Sequence, residues 1–339
     1  MKRILITGGL GFIGNALIRE VLKDKKIQVM NIDKMSKVSS KESLNNLSLN
    51  QKNRYFFSKT NICNFKKISK LFNDFKPDAV FNLAAESHVD NSISNPKEFI
   101  DSNIMGTFNL LQVSKNYLSK KLIKNFKFIQ VSTDEVYGSL KKNSKAFKES
   151  NKYLPNSPYS ASKAASENLV RAWNKTYQLP TLITNCSNNY GPWQFPEKLI
   201  PLVIHRAINL INIPVYGDGK NIRDWIYVDD HIKYLIQVAK YGKIGESYNI
   251  GANYEVSNIQ LIKKICKYLN KIKPAKIDYL DLIKFVKDRP GHDFRYAINN
   301  SKVKEHTGWL PSISFNEGIE DTVNWYIENK NWWLGKVAK

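Results

Sequence analysis

Cysteine is scarce in this chain: Cys63, Cys186 and Cys266 are the only three in 339 residues, and no two form a Cys-x-x-Cys spacing. That excludes a disulfide-stapled scaffold and a zinc site of paired cysteines, and it fits a reducing compartment. Long apolar runs are also missing; none approaches the roughly 20 residues of a membrane span. The chain passes from Lys2-Arg3 straight into a strand-like apolar run, without the core or cleavage site of a signal peptide. A soluble cytoplasmic protein with no membrane partner is the expectation. Acid is scarce beside base, with 30 Asp and Glu against 52 Lys and Arg, a net charge of +22. Such an excess raises nucleic-acid binding as a function. No basic helix or RNA-reading aromatic motif gathers it, however, and the lysines are spread along the chain among Asn and Ile. The charge therefore reads as a solvated, compositionally biased surface with no nucleic-acid partner; attraction of an anionic substrate is the second reading.

What is present is enough for a core. Hydrophobic residues make up 42% of the chain, which excludes global disorder. The length exceeds one typical domain and falls short of three. Residues 3–7 form a short buried strand, and Phe12, Ile13, Ala16, Leu17 and Val21 then follow at helical spacing. A second strand ends at Ile32-Asp33. Further apolar runs at 79–83 and 126–131 alternate with helical stretches near 64–76 and 97–118, and a helix at 158–177 precedes a strand at 180–185. Strands alternating with helices imply parallel pairing with right-handed crossovers, so the fold class is α/β: a Rossmann-type doubly wound sheet with a smaller mixed α/β domain. Residues 1–185 and about 222–250 are assigned to the sheet domain, where 222–250 has a strand-helix-strand pattern. Residues 186–221 and about 251–339 are assigned mainly to the second domain. The Lys-, Asn- and Ser-rich stretch 139–152 reads as a mobile loop near the site.

Gly8, Gly11 and Gly14 stand at G-x-x-G-x-x-G spacing between the first strand and the first helix. The first permits a tight turn, the second lets a pyrophosphate approach the backbone, and the third lets helix and strand pack closely. The helix N-terminus adds amide donors and a favourable dipole. Asp33, about twenty positions on at the end of the second strand, is placed to bond ribose hydroxyls. A carboxylate there repels a 2′-phosphate, so NAD is favoured over NADP. Small residues in Leu83-Ala84-Ala85 let a dinucleotide lie close to another strand end.

Tyr159 and Lys163 form a Tyr-x-x-x-Lys pair, which a helix places on one face. A neighbouring ammonium is expected to lower the phenol pKa, so that Tyr159 takes a hydroxyl proton while hydride leaves the same carbon. Lys163 could also hold the nicotinamide ribose, and Thr133 would align the reacting hydroxyl. Asp134 and Glu135 follow at the C-terminal end of a strand. Two adjacent carboxylates repel, so one is expected to stay protonated and act as an acid while the other, ionised, removes a carbon-bound proton. A solvated acidic turn is the alternative.

These residues together resemble the extended short-chain dehydrogenase/reductase superfamily and, within it, the dTDP-glucose 4,6-dehydratases. The resemblance covers the whole chain: Thr7 to Gly14, Leu83 to Asp90, Ser132 to Gly138, Tyr159 to Lys163, Asn185 to Pro192, Pro196 to Pro201, Tyr216 to Gly219, Arg223 to Trp225, Tyr227 to His231, Asp288 to Asp293 and Asn331 to Trp333. It implies C4 oxidation with Tyr159 as base, removal of the C5 proton by Glu135, protonation of the departing C6 hydroxyl by Asp134, and return of the hydride to C6. It implies NAD contacts from Gly8, Gly11, Phe12, Ile13, Gly14, Asp33, Lys34, Ser36, Asn61, Ile62, Leu83, Ala84, Ala85, Ser102, Tyr159, Lys163 and Asn189. It implies substrate contacts from Ser87, His88, Thr133, Asn188, Lys198, Leu199, Pro214, Tyr216, Arg223, Asn258, Arg289 and His292. Cations such as Lys198, Arg223 and Arg289 suit a nucleotide diphosphate. His88 and His292 could equally be structural; neither has metal-ligand spacing, and no metal is expected. A homodimer through the helices near 97–118 and 158–177 is also implied. Two departures stand out: Asn61-Ile62 replaces the usual Asp-Ile pair, and the 139–152 loop is short. The rival readings are the same reaction on UDP-glucose, a nucleotide-sugar epimerase or decarboxylase, which the acid pair argues against, and a non-catalytic NAD sensor, which would have lost the intact Tyr159/Lys163 pair.

Overall fold

The computed structural model describes residues 1–119, 125–334 and 336. In chain order the strands are β1 (Arg3–Thr7), β2 (Gln28–Asp33), β3 (Tyr55–Lys59), β4 (Ala79–Asn82), β5 (Lys127–Thr133), β6 (Thr181–Cys186), β7 (Asn188–Tyr190), β8 (Ile213–Tyr216), β9 (Ile222–Tyr227), β10 (Ser247–Ile250), β11 (Glu255–Ser257) and β12 (Ile283–Val286). Seven of them form one parallel sheet in the order β10-β6-β5-β4-β1-β2-β3. Strand order reverses on either side of β1, so a crevice opens beyond the carboxyl ends of β1 and β4, where doubly wound sheets take ligands.

Both faces of this sheet are covered, which is why β4 and β6 are buried along their whole length. Helices Phe12–Val21 and Val228–Tyr241 cover one face with Leu17, Ile18, Leu235 and Val238. Helices Phe65–Phe75, Gly106–Ser119 and Pro158–Tyr177 cover the other with Phe72, Leu110, Leu111 and Val170. Inside the sheet a polar ladder crosses three strands: Thr7 Oγ1 donates to Asn82 Oδ1 at 2.7 Å, and Asn82 Nδ2 donates to Gln130 Oε1 at 2.8 Å. Satisfying these buried groups fixes the register of β4 between its neighbours.

A second core gathers Ile200, Ile204, Trp225, Leu261, Ile265, Ile319 and Trp333 around helices Leu199–Ile208, Asn258–Ile272 and Phe315–Glu328. Two small sheets belong to it, β11-β9-β7 and β12-β8. Within the stretch 222–250, β10 pairs with β6 at the edge of the large sheet, whereas β9 pairs with β7 and β11. The two halves are tied at a distance: Trp332 Nε1 donates to Ser40 Oγ at 2.9 Å.

Two stretches differ from the sequence reading. The helix expected near 97–118 is broken into Pro96–Phe99, a π-helical turn Ile100–Met105, and Gly106–Ser119. The π turn brings Asn103 against Glu86 and Ser162 (Glu86 N–H to Asn103 Oδ1 2.9 Å; Asn103 Nδ2 to Ser162 Oγ 2.8 Å), in keeping with the frequent use of such bulges at functional sites. The polar stretch 139–152, read as a mobile loop, is pinned. Leu140 N–H donates to Arg295 O and Phe147 N–H to Ala297 O, each at 2.9 Å. Arg295 Nη1 in turn donates to Ser144 O at 2.7 Å. Arg295 lies 151 residues from Ser144 in the sequence, and polar composition alone does not foretell partners so distant.

Candidate active site

The crevice begins at the glycine turn. Gly8 has φ +70°, and a Cβ there would lie 2.8 Å from the Ala84 backbone. At Gly14 a Cβ would lie 2.3 Å from Gly8 O. Gly11 then opens helix Phe12–Val21 without any side-chain cap, so the first-turn amides face the crevice as donors. A bare helix N-terminus beside a turn with no room for side chains fits a pyrophosphate. Asp33 is more heavily engaged than the sequence suggests: it accepts from Leu10 N–H at 3.0 Å, Met35 N–H at 2.7 Å and Ser39 Oγ at 2.9 Å. A carboxylate has about four acceptor positions, so capacity for a ribose hydroxyl remains. Asn61 Oδ1 accepts from Cys63 N–H at 2.9 Å.

All the residues expected at the cofactor line one continuous cleft: Gly8, Gly11, Phe12, Ile13, Gly14, Asp33, Lys34, Ser36, Asn61, Ile62, Leu83, Ala84, Ala85, Ser102, Tyr159, Lys163 and Asn189. Thr133, Asp134 and Glu135 line it too, as do Ser87, Asn188 and Lys198. Sequence reasoning missed Thr60, Glu86, Cys186, Gln194 and Glu197 among its walls. Cys186 could have been found from strand register, since it pairs with Thr133; Glu86 is visible only once its ion pair with Lys34 is seen.

The remaining expected residues lie outside this lining. Arg223 is buried, donating to Ile222 O at 2.8 Å and Asp293 O at 3.0 Å, with its guanidinium 4.3 Å from the centre of the Tyr296 ring. Arg289 pairs with Asp90 at 2.9 Å, and Tyr216 Oη reaches the same carboxylate at 3.4 Å. His292 stands edge-on to Tyr216 and 2.6 Å from Asp288 Oδ1. Burial, foremost, keeps His292 below the usual imidazole range. His88 caps helix Val89–Ser94 and is likewise pushed down, first by burial and then by Lys198. Leu199 and Asn258 each open a helix, and Pro214 lies in β8.

The chemistry sits where β5 ends. Thr133 caps the short 3-10 turn Asp134–Tyr137. Helix Pro158–Tyr177, started by a Ser157/Ser160 capping box and Pro158, packs across this end and buries Tyr159, Lys163 and Glu167 at intervals of four. Lys163 Nζ donates to Val131 O at 2.8 Å, and burial draws its pKa down to about 8. The phenol of Tyr159 was expected to be lowered by its ammonium neighbour. The structure shows it raised: burial comes first and Glu135 second, with a hydrogen bond from Thr133 opposing them. Lys163 is turned to the Val131 carbonyl, so its charge does not outweigh those two effects.

The adjacent carboxyls differ sharply. Asp134 is 2% exposed, its Oδ1 accepts from Thr133 Oγ1 at 3.3 Å, and its Oδ2 has no partner among the described residues. Burial, then Glu135 and Asp224, hold it well above the usual carboxyl range. Glu135 is raised by burial but drawn back by three cations: Arg223, Lys198 and Arg289. Both carboxyls are thus raised, Asp134 the further, and at Glu135 three cations oppose the shift.

The model of the GDP-mannose 4,6 dehydratase family matches residues 5–322. The chain is similar to the dTDP-glucose 4,6-dehydratase of Neisseria meningitidis serogroup B, 49% identical over 98% of this chain and 95% of the relative. Among solved structures it is similar to dTDP-glucose 4,6-dehydratase from Bacillus anthracis in complex with NAD (39% identity, TM-score 0.87, 99% and 100% of the two chains). It is also similar to the enzyme of that name from Streptomyces venezuelae with NAD bound (36% identity, TM-score 0.90, 99% and 100%).

Proposed function

This chain belongs to the GDP-mannose 4,6 dehydratase family, and from that premise we propose that it is a hydro-lyase converting dTDP-glucose to dTDP-4-keto-6-deoxyglucose with NAD. The observation that carries the reading is the acid pair: Asp134 and Glu135 line the dinucleotide cleft beside Thr133 and Tyr159, Asp134 raised well above the usual carboxyl range and Glu135 faced by three cations that oppose its own rise. An epimerase needs a proton and hydride exchange at one carbon and has no use for such a pair. The names of the similar proteins favour dTDP-glucose over UDP-glucose.

The bare N-terminus of helix Phe12–Val21 would hold the NAD pyrophosphate, Asp33 the adenosine ribose, Asn61 and Ile62 the adenine, and Lys163 the nicotinamide ribose. Bound NAD supplies a hydride acceptor for C4 and afterwards the donor for C6. Tyr159 takes the C4 hydroxyl proton as its phenolate, a form that burial and Glu135 disfavour and that the cationic ring of bound NAD would favour, with Thr133 aligning that hydroxyl. The C5 proton, made acidic by the new C4 ketone, passes to Glu135. Asp134 delivers its proton to the C6 hydroxyl, which leaves as water. Glu135 then returns its proton to C5. Over one turnover Tyr159 gains the proton that Asp134 loses, and Thr133 Oγ1, bonded towards both, lies between them. Lys198 in the cleft wall and Arg289, outside it but close enough to act on Glu135, suit the diphosphate.

Incubation of the purified protein with dTDP-glucose and with UDP-glucose, followed by mass spectrometry, tests the reading. Loss of one water from dTDP-glucose at the higher rate is expected; no water loss from either would sink it. A homodimer is part of the proposal. Ile100 and Met105, in the segment near 97–118, and Tyr177, at the end of helix Pro158–Tyr177, are exposed apolar residues suited to it, and a monomer by light scattering would count against it. No helix among the described residues is long and apolar enough to cross a membrane; the three free cysteines fit a cytoplasmic location.

A further inference from the structure

Asp134 is not the only buried carboxyl at this end of the sheet. β5 and β6 pair Thr133 with Cys186, and β7 and β9 pair Asn188 with Trp225. Asp134 follows the last of the β5–β6 pairs, Ser187 lies between β6 and β7, and Asp224 precedes Trp225 on β9; Asp224 lies close enough to act on Asp134, and Ser187 close enough to act on Asp224. These three residues, at most 2% exposed, gather where the large sheet meets the β11-β9-β7 sheet. Each has a buried oxygen without a hydrogen-bond partner among the described residues: Asp134 Oδ2, Ser187 Oγ and Asp224 Oδ2. The other oxygen of Asp224 is fixed, accepting from Tyr254 N–H at 2.8 Å. Gly251 keeps the place open, because a Cβ there would come within 2.4 Å of Asp224 Oδ2. Buried polar atoms left unpaired are costly, and several gathered together call for a reason.

We propose that Asp224 is a positioning residue for the dehydration step: buried one strand away from the acid pair, its carboxylate holds Asp134 in the acid form that the leaving hydroxyl requires. This rests on the hydro-lyase reading above. Asp134 is faced by Glu135 and Asp224, by the Arg223 cation that opposes them, by the Thr133 hydroxyl, and by Tyr159 and Cys186 across the cleft. Asp224 is faced by Glu255 on β11, by the amides of Asn253 and Tyr254, by Tyr234, and by the Ser187 hydroxyl, near enough to favour its ionised form though beyond an ordinary hydrogen bond. Glu135 loses its charge in every turnover when it takes the C5 proton. Asp224 has no such duty, so it is the constant negative charge of the site. Burial lifts Asp224 only to about 6. It is therefore ionised near neutral pH, where a like charge disfavours ionisation of Asp134.

The test is the pH profile of dehydration in Asp224→Asn, which keeps an acceptor for Tyr254 N–H. Removing the anion lowers the pKa of Asp134, so the basic limb of kcat should move to lower pH by roughly one unit or more, with NAD binding retained. A limb that stays in place, whether activity is unchanged or uniformly reduced, overturns the proposal. Asp224→Ser, smaller and equally neutral, gives the same comparison if Asp224→Asn does not fold. A third measurement needs neither variant: the carboxylic-acid infrared band that Asp134→Asn abolishes should shift in the wild-type protein as Asp224 ionises near pH about 6. A band that does not respond there overturns the proposal. This readout does not use substrate, so failure of wild-type dehydration would sink the hydro-lyase reading alone.

Discussion

The floor of the cleft and its rim are built on different principles. On the floor, the glycine turn is fixed by contacts within one sheet: Gly9 N–H to Asn31 and Leu10 N–H to Asp33 span 22 and 23 residues. On the rim, Lys198 Nζ donates to Ser87 O across 111 residues, and Arg289 meets Asp90 across 199. The floor is backbone and glycine, with no space to give. The rim is charge on long side chains that can rearrange at little cost. A rigid floor suits a cofactor that is regenerated in each cycle, whereas an adaptable rim suits a substrate that must enter and leave. The acid pair lies where the two meet.

Changes at that meeting point should have the largest effect. Glu135→Gln keeps shape and removes the base, so kcat should fall by roughly 10²- to 10⁴-fold while NAD binding and melting temperature stay near wild type. A loss below tenfold would mean that another group removes the C5 proton.

Gly14→Ala breaks the floor. Alanine ordinarily favours a helix over glycine by about 1 kcal/mol. Here its Cβ would lie 2.3 Å from Gly8 O, a backbone atom that cannot swing aside. Overpacking of that kind typically costs about 1–3 kcal/mol, so crowding wins. The expected outcome is a lower melting temperature together with weaker NAD binding by calorimetry. Wild-type stability would show that the turn can shift after all.

The same contrast explains what could be read from the sequence. The floor was legible because its signals are local: glycines at fixed spacing, an acid at the end of the next strand, a Tyr-x-x-x-Lys pair on one helix. Helix 158–177 has the bounds expected of it because Ser157, Pro158 and the αL residue Gln178 mark its ends. The rim residues were named only through family resemblance, since nothing near Arg289 in sequence points to Asp90. The raised phenol of Tyr159 was missed for a similar reason. Spacing shows that Lys163 shares its helix face, but not that its ammonium turns to Val131 O. The pinned 139–152 stretch and the π turn at Ile100–Met105 likewise depend on distant partners.

Breaking the rim should give the smallest of these effects, and of a different kind. The Arg289–Asp90 pair is partly exposed, with side chains 23% and 37% accessible. Such pairs contribute about 0–1 kcal/mol to stability, so Arg289→Ala should barely change the melting temperature. If Arg289 meets the substrate diphosphate, the lost charge-assisted bond should raise KM about tenfold or more with a lesser change in kcat. Asp90→Asn sharpens the comparison, because it frees Arg289 without removing its charge. A KM raised only in Arg289→Ala means that the guanidinium itself meets the substrate. A KM raised equally in both means that the pair works by holding the 87–90 segment against the second half of the molecule. A KM unchanged in both would remove Arg289 from the site and leave Lys198 as the rim cation for the diphosphate.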